Sequence, residues 1–267
     1  MKVYTVDSFT NEIFKGNPAA VCLVESPLSN SQMLDIAREF NLSETAFIYS
    51  TNIAGHFDIR YFSIKQEIPL CGHATLASAK VAFQRTGLKQ ISFKTGGGIN
   101  LNATLNGDFI EMKLPLFRLE EKPLPKALIK ALGNPLTLCS FYNKETNILL
   151  LEIENSVVLE GLNPDFGALV NTYDGIDGVC VTARSKNNKY DFYSRFFWPW
   201  SGSDEDPVTG GTHTFLAKYW ADKLDKKRVK SFQCSKRSGS MEIIILNDKD
   251  ILIKAQAVLV FEGNLQL

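Results

Sequence analysis

The 267-residue chain exceeds the usual single-domain length of roughly 100–150 residues and falls short of three such domains, so two domains are expected. Apolar types make up 45% of residues and charged types 22%, which gives each half enough material for a core and excludes the composition of a disordered chain. Lys plus Arg and Asp plus Glu number 29 each, so no net field draws nucleic acid or an anionic membrane, and a small-molecule partner is the default.

The N-terminus, Met1-Lys2-Val3-Tyr4-Thr5-Val6-Asp7, alternates and reaches an acid at its seventh residue, which is not the apolar run of a signal peptide. No segment approaches the ~18 consecutive apolar residues that span a bilayer as a helix. The five cysteines are odd in number and widely spaced, without a CxxC pair, as expected of a protein of the reducing cytoplasm. A strand is expected over residues 2 to 9, then the turn Gly16-Asn17-Pro18 and a second strand from 19 to 24. Ser29 with Gln32 makes a capping box, and Met33, Ile36, Ala37 and Phe40 fall on one face of the helix that follows, which stops near Asn41. Strands over 45 to 49 and 56 to 62 come next, then a loop and a helix from Gly72 to about Gln84. Three β-like runs close this half near Pro115. The run Thr95-Gly96-Gly97-Gly98 leads into another strand rather than a helix, so it reads as a hairpin and not as a nucleotide-phosphate loop.

The second half repeats the order. β-rich text covers 136 to 159, a helix is announced by Asn163 and Pro164, and strands follow over 178 to 183 and 190 to 197. A loop over 201 to 207 precedes a helix from Gly210 to about Asp222, and β-like runs finish the unit. Two junctions can be written in one register: Pro69-Leu70-Cys71-Gly72-His73-Ala74 over the run Pro207-Val208-Thr209-Gly210-Gly211-Thr212, and Arg60-Tyr61-Phe62 over Arg195-Phe196-Phe197. A pseudo-symmetric pair of domains, 1–118 and 126–267, follows from this, with a linker at about 119–125 around Pro123 and Pro125, and with the last strand free to pair with the first domain.

Helices that start at Gly72 and Gly210 would expose unpaired N–H groups at their positive dipole ends, which suits a carboxylate or phosphate. Pseudo-symmetry suggests that both ends serve one cleft. The three histidines lack paired spacing, and Asp204-Glu205-Asp206 lacks companion ligands, so no metal is expected. Glu44, between Asn41-Leu42-Ser43 and an apolar strand, reads either as a capping or salt-bridging glutamate or as an acid half buried at a strand entrance, where burial raises a carboxyl pKa toward the working pH of a proton-transfer group.

Together these segments resemble the PhzF family, the phenazine-biosynthesis isomerases and their relatives, which share the fold of diaminopimelate epimerase. The resemblance rests on Asp7-Ser8-Phe9 with Gly16-Asn17-Pro18-Ala19-Ala20-Val21, on Asn41-Leu42-Ser43-Glu44-Thr45-Ala46-Phe47, on Cys71-Gly72-His73-Ala74-Thr75-Leu76-Ala77 and on Glu205-Asp206-Pro207-Val208-Thr209-Gly210. It implies an α+β fold of two domains, each a β-barrel-like sheet around a central helix, a homodimer and no cofactor. It also implies Glu44 as the acid/base catalyst, and Asn17, Cys71, Gly72, His73, Asp206, Gly210 and Gly211 as substrate-binding groups. The phenazine enzyme moves a proton between ring carbons of a dihydro-hydroxyanthranilate. This chain departs from the family where Gly211-Thr212 replaces the usual serine and alanine, so side-chain contacts to substrate differ there.

Two other readings follow from the same residues. An epimerase with two thiol bases would use Cys71, yet the position matched to it is Thr209, whose hydroxyl is too weak an acid to serve. A non-catalytic anion-binding protein would keep the helix ends and turn nothing over.

Overall fold

The computed structural model describes residues 1–201 and 203–267; Gly202, within the expected 201–207 loop, lies outside the described residues. The chain forms two compact units, Met1–Lys113 with Ile253–Leu267, and Leu114–Leu252.

The first unit opens with β1 (Lys2–Ser8) and β2 (Asn17–Val24), followed by α1 (Asn30–Phe40), β3 (Glu44–Ser50), β4 (His56–Ser63), β5 (Glu67–Ile68), α2 (Gly72–Thr86), β6 (Gln90–Thr95), β7 (Asn100–Asn106) and β8 (Phe109–Pro115). Strands β1 and β2 pair antiparallel, β2 and β3 parallel, β3 and β4 antiparallel, β4 with β5 antiparallel and with β6 parallel, and β6 with β7 antiparallel. The β6–β7 turn carries the glycine run, which is the expected hairpin. Ser29 caps α1 in a complete capping box, and left-handed Asn41 ends it. This helix buries Met33, Ile36 and Ala37 against Phe47 and Phe62 and leaves its other face wet. Helix α2 differs, for Ala74, Ala77, Ala79 and Ala82 are buried together with Leu76, Val81 and Phe83. A helix apolar on nearly every side must be enclosed, and strands β1, β2, β3, β6 and β7 pack around it.

In the second unit β9 (Glu120–Glu121), α3 (Lys126–Ala131), β10 (Thr137–Asn143), β11 (Ile148–Ile153), α4 (Ser156–Gly161), α5 (Phe166–Val170), β12 (Gly178–Arg184) and β13 (Phe192–Trp198) lead to β14 (Ser203–Asp206), α6 (His213–Leu224), β15 (Arg228–Gln233), β16 (Gly239–Ile245) and β17 (Asp250–Ala255), which reaches the boundary. The last strand, β18 (Ala257–Asn264), belongs to the first unit. The pairing repeats that of the first unit step for step: β10–β11 antiparallel, β11–β12 parallel, β12–β13 antiparallel, β13–β14 antiparallel, β13–β15 parallel and β15–β16 antiparallel. Helix α6 takes the place of α2. Its Trp220 is fully buried, stacks on Phe192 with ring centroids 5.4 Å apart and donates from Nε1 to Thr182 Oγ1 at 2.9 Å. The duplication extends to an ion pair. Arg60 grips Glu67 with two bonds of 2.7 and 2.6 Å, and Arg195 grips Glu205 with two of 2.7 Å, each across the equivalent strand pair.

Several expectations need correction. Of the expected 126–267 domain, Ile253–Leu267 falls in the first unit, where the last strand, β18, makes the pairing to the first domain that the expectation left open, antiparallel to β1 from Lys2↔Asn264 to Ser8↔Ala257. The expected linker contains β9, which pairs with Phe141 and Tyr142. No helix starts at Asn163; Asp165 caps α5 by accepting from Ala168 N at 2.9 Å, its carboxylate answering the helix dipole. Residues 203 to 206 of the expected loop form β14. Helix α6 begins at His213 rather than Gly210, since two glycines resist helical geometry and the chain enters through i→i−3 bonds, His213 N to Gly210 O and Thr214 N to Gly211 O. Among the described residues no helix is long and apolar enough to cross a membrane.

Candidate active site

Four of the expected site residues meet in the first unit. Glu44 opens β3, two residues beyond the turn that ends α1, and Cys71 is the N-cap residue of α2, with Gly72 as its first residue and His73 as its second. Asn17 opens β2. The strand order sets β2 beside β3 and wraps both around α2, which brings positions 17, 44, 71 and 73 to one place. His73 Nε2 lies 3.1 Å from Glu44 Oε2, while its Nδ1 lies 3.3 Å from Asn17 Nδ2 and 3.4 Å from Cys71 Sγ. All four residues are buried. Ser8 Oγ donates to the His73 carbonyl at 2.8 Å and ties the end of β1 to the start of α2. The approach to Asn17 needs glycine at 16: its φ is +65°, and a Cβ there would stand 2.1 Å from Ser8 O.

Electrostatics divide the cluster. Burial pushes the Cys71 thiol up, and the Glu44 charge adds to that against the lowering effect of His73. Burial opposes charge on His73 as well, but the Cys71 sulfur and the Glu44 carboxyl beside it outweigh burial and hold its pKa well above the ordinary value. A charged imidazole facing an acid in a buried place is a charge-assisted contact. It sets a proton donor and a proton acceptor within one hydrogen bond of each other.

Asp206, Gly210 and Gly211 lie in the second unit. Buried Asp206 ends β14, where its carboxylate accepts from Thr209 Oγ1 and its backbone carbonyl accepts from Gln233 Nε2 at 2.7 Å and Ser235 Oγ at 3.2 Å. Gln233 Oε1 in turn accepts from Thr209 N at 2.8 Å. Gly210 and Gly211 form the turn that leads to Thr212, the N-cap of α6. Of the acidic run, Glu205 is committed to Arg195, leaving Asp206 as the buried acid. Ser8, Gln233 and Ser235 were not among the expected site residues; Ser8 stands in a motif that carries the resemblance, but nothing in the local sequence marks Gln233 and Ser235, whose partners here stand 24 or more positions away.

Register shows what stands opposite Glu44 in the duplicate. Glu44 pairs with Ser63 at the start of β3, and the corresponding start of β12 is Gly178, one residue before the pair Val179↔Phe197. No side chain fits there, since a Cβ on Gly178 would lie 2.6 Å from the Phe196 ring and 2.8 Å from Phe197 O. The duplicate positions of Cys71 and His73 hold Thr209 and Gly211.

The fold and site define a duplicated α+β protein with a buried acid–imidazole pair in its first unit. Comparison with known proteins narrows this further. The family model described as "Phenazine biosynthesis-like protein" matches residues 6–263. A "Phenazine biosynthesis-like domain-containing protein" of Bos taurus is 39% identical over 287 residues, covering 99% of each chain. An "Uncharacterized isomerase" of Halalkalibacterium halodurans is 39% identical over 272 residues, covering 99% of this chain and 98% of the other. The crystal structure of a PhzF-family protein of Enterococcus faecalis superposes with a TM-score of 0.92 at 32% identity, covering 100% of this chain and 99% of that one. The chain belongs to the PhzF family of phenazine biosynthesis-like proteins.

Proposed function

We propose that the protein is a cofactor-independent isomerase that moves a proton on a small carboxylate-bearing substrate, with Glu44 as the single acid/base. The observation that carries this is the buried contact between Glu44 and His73, 3.1 Å, set against Gly178 at the duplicate of Glu44. The isomerase name of the Halalkalibacterium relative supports the reaction class. In the proposed cycle Glu44 takes a proton from one substrate carbon, the double bond shifts, and the same carboxyl returns the proton to another carbon. Charged His73 steadies Glu44 while it is a base, and the Asn17 side-chain amide beside Nδ1 fixes the imidazole once it is turned to present its oxygen to the Nδ1 proton. Acid/base assistance of this kind is worth roughly 10²–10⁴-fold. Asp206, Gly210 and Gly211 enter as substrate-binding residues on the resemblance. A two-thiol epimerase is disfavoured by Thr209 at the duplicate of Cys71.

The test follows proton exchange by NMR in D₂O with a panel of small unsaturated carboxylates, a dihydro-hydroxyanthranilate among them. The wild type should place deuterium on the carbon that gains the proton. Glu44→Gln should fold, because the amide keeps the shape, and should lose nearly all turnover; Cys71→Ala should retain turnover that Glu44→Gln lacks. Turnover by Glu44→Gln with deuterium entering an amino-acid α-carbon, lost in Cys71→Ala, would overturn the proposal in favour of the epimerase.

A further inference from the structure

The turn that leads into α6 is held by one carbonyl. Thr209 O accepts from His213 Nδ1 at 2.8 Å and from Thr212 Oγ1 at 3.1 Å. A carbonyl oxygen only accepts, so the His213 proton sits on Nδ1, and the bare Nε2 finds no partner among the described residues. An imidazole buried with an orphaned nitrogen costs the fold stability that leucine at the same place would not. Thr212 is turned the same way. As N-cap of α6 its hydroxyl would ordinarily accept from the first turn of the helix, but it makes no capping bond and donates back to Thr209 instead. The first unit has the same device at the matched place, where Thr75 Oγ1 donates to Cys71 O at 2.7 Å. In each unit a side chain four residues beyond the carbonyl thus fixes the peptide that precedes the glycine. The Thr209–Gly210 peptide is trans and planar, so with its oxygen turned to α6 its N–H points away from that helix. Gly210 is buried, and neither its N–H nor that of Gly211 has an acceptor among the described residues. Buried backbone donors are nearly always paired, so this one is directed at a partner outside the chain.

We infer that His213, with Thr212 beside it, is the positioning residue of the substrate-binding turn: its Nδ1–H sets the Thr209–Gly210 peptide so that the Gly210 N–H meets the substrate carboxylate. His213 acts through Gly210 and moves no proton itself. The inference rests on the substrate-binding role given to Gly210 and Gly211 above, and it is independent of which group carries the proton.

The experiment follows the backbone amide NMR signals of the isotope-labelled full-length protein as sodium anthranilate is added. In the wild type the Gly210 and Gly211 signals should shift saturably and together. His213→Leu fills the space without a donor and should weaken binding about 10–100-fold, the worth of a hydrogen bond to a charged group. His213→Asn places a side-chain amide where Nδ1 stood and should bring the affinity back to within about threefold of wild type, although it leaves more of the space empty than leucine does. A role in packing alone would give the opposite order. Thr212→Val should weaken binding about 3–10-fold, and it decides the matter where His213→Leu does not fold. A Gly210 signal that stays still in the wild type, affinity unchanged in His213→Leu or Thr212→Val, or an asparagine variant no better than the leucine one would overturn the inference. The titration reads binding and not turnover, so a failed exchange assay leaves it standing, and its own failure leaves Glu44 as the acid/base.

Discussion

His213 should make the protein sensitive to mild acid. Its side chain is fully buried at the start of α6, where Nδ1 donates to Thr209 O at 2.8 Å and Nε2 has no hydrogen-bond partner among the described residues. Burial lowers its pKa to about 4, with the bond to Thr209 opposing only part of the shift. The folded protein therefore holds a neutral imidazole that the unfolded chain protonates near its ordinary value of about 6.5. Stability from this group is complete above that value and is lost as pH falls toward 4. Each unit of pH in this window costs about 1.4 kcal/mol, so by pH 4 the loss reaches about 3 kcal/mol. His73 has the opposite shift, and its contribution is complete below about 6.5 and lost only as pH rises through its raised pKa, so it does not confuse the window. Carboxylates titrate there too, and the assay must subtract them. Urea unfolding of wild type and His213→Asn at pH 7.5 and pH 4 does so, because asparagine can keep the donor to Thr209 O without titrating. The wild type should lose about 3 kcal/mol more than the variant over that interval; equal losses would refute the reasoning.

Three further outcomes are expected from urea unfolding at pH 7.5. Gly178→Ala should cost about 1–3 kcal/mol, because the new methyl meets the Phe196 ring and the Phe197 carbonyl. Arg195→Ala should cost about 3 kcal/mol and Arg60→Ala about 1 kcal/mol or less: Arg195 and Glu205 are 11% and 17% exposed, with Arg195 also donating to Leu162 O at 2.6 Å, whereas Arg60 and Glu67 are 25% and 37% exposed. Trp220→Phe should cost about 1–3 kcal/mol by leaving buried Thr182 Oγ1 without its donor, and a change smaller than 0.5 kcal/mol would show that the stacking on Phe192 carries the whole interaction.

The elements with strong local signals were legible in the sequence. The capping box at Ser29 and the stop at Asn41 set both ends of α1, and the glycine run at 96 to 98 turned out to be a hairpin because strand-like text flanks it on both sides. Short elements were not. Helices α3 and α4 have six residues each, too few for a periodic face, and β14 hides in a run of acids because its pairing to β13 is decided by Arg195. The sequence left β18 free to pair with the first domain without naming its partner, since β1 lies at the other end of the chain. Within the candidate site, Glu44, Cys71 and His73 were each legible, but their meeting depends on the parallel pairing of β2 with β3 around α2.

The duplication supplies its own control for the chemistry. Both units keep the scaffold, including the order and sense of six strand pairings and an arginine–glutamate clamp, so a mechanism that needed two equivalent groups had equivalent places for them. The residues at those places diverge instead. Glu44 faces Gly178 in the alignment of the units, Cys71 faces Thr209, and His73 faces Gly211. The neighbouring support diverges with them, for in the first unit the Tyr61 hydroxyl meets Thr75 Oγ1 at 2.5 Å, and in the second Phe196 has no hydroxyl and His213 makes the bond to the backbone. The Phe196 ring then fills the space that a side chain on residue 178 would need. An acid–imidazole pair in the first unit, with glycine at the places matched to both residues, suits a reaction in which the same group removes and returns the proton. A racemisation with opposed bases at matched places requires groups that Gly178, Thr209 and Gly211 do not supply. Placing an acid at 178 would test this directly: Gly178→Glu in a Phe196→Ala background should fold less stably than wild type, and it should add no turnover to Glu44→Gln if the single carboxyl of the first unit carries the reaction.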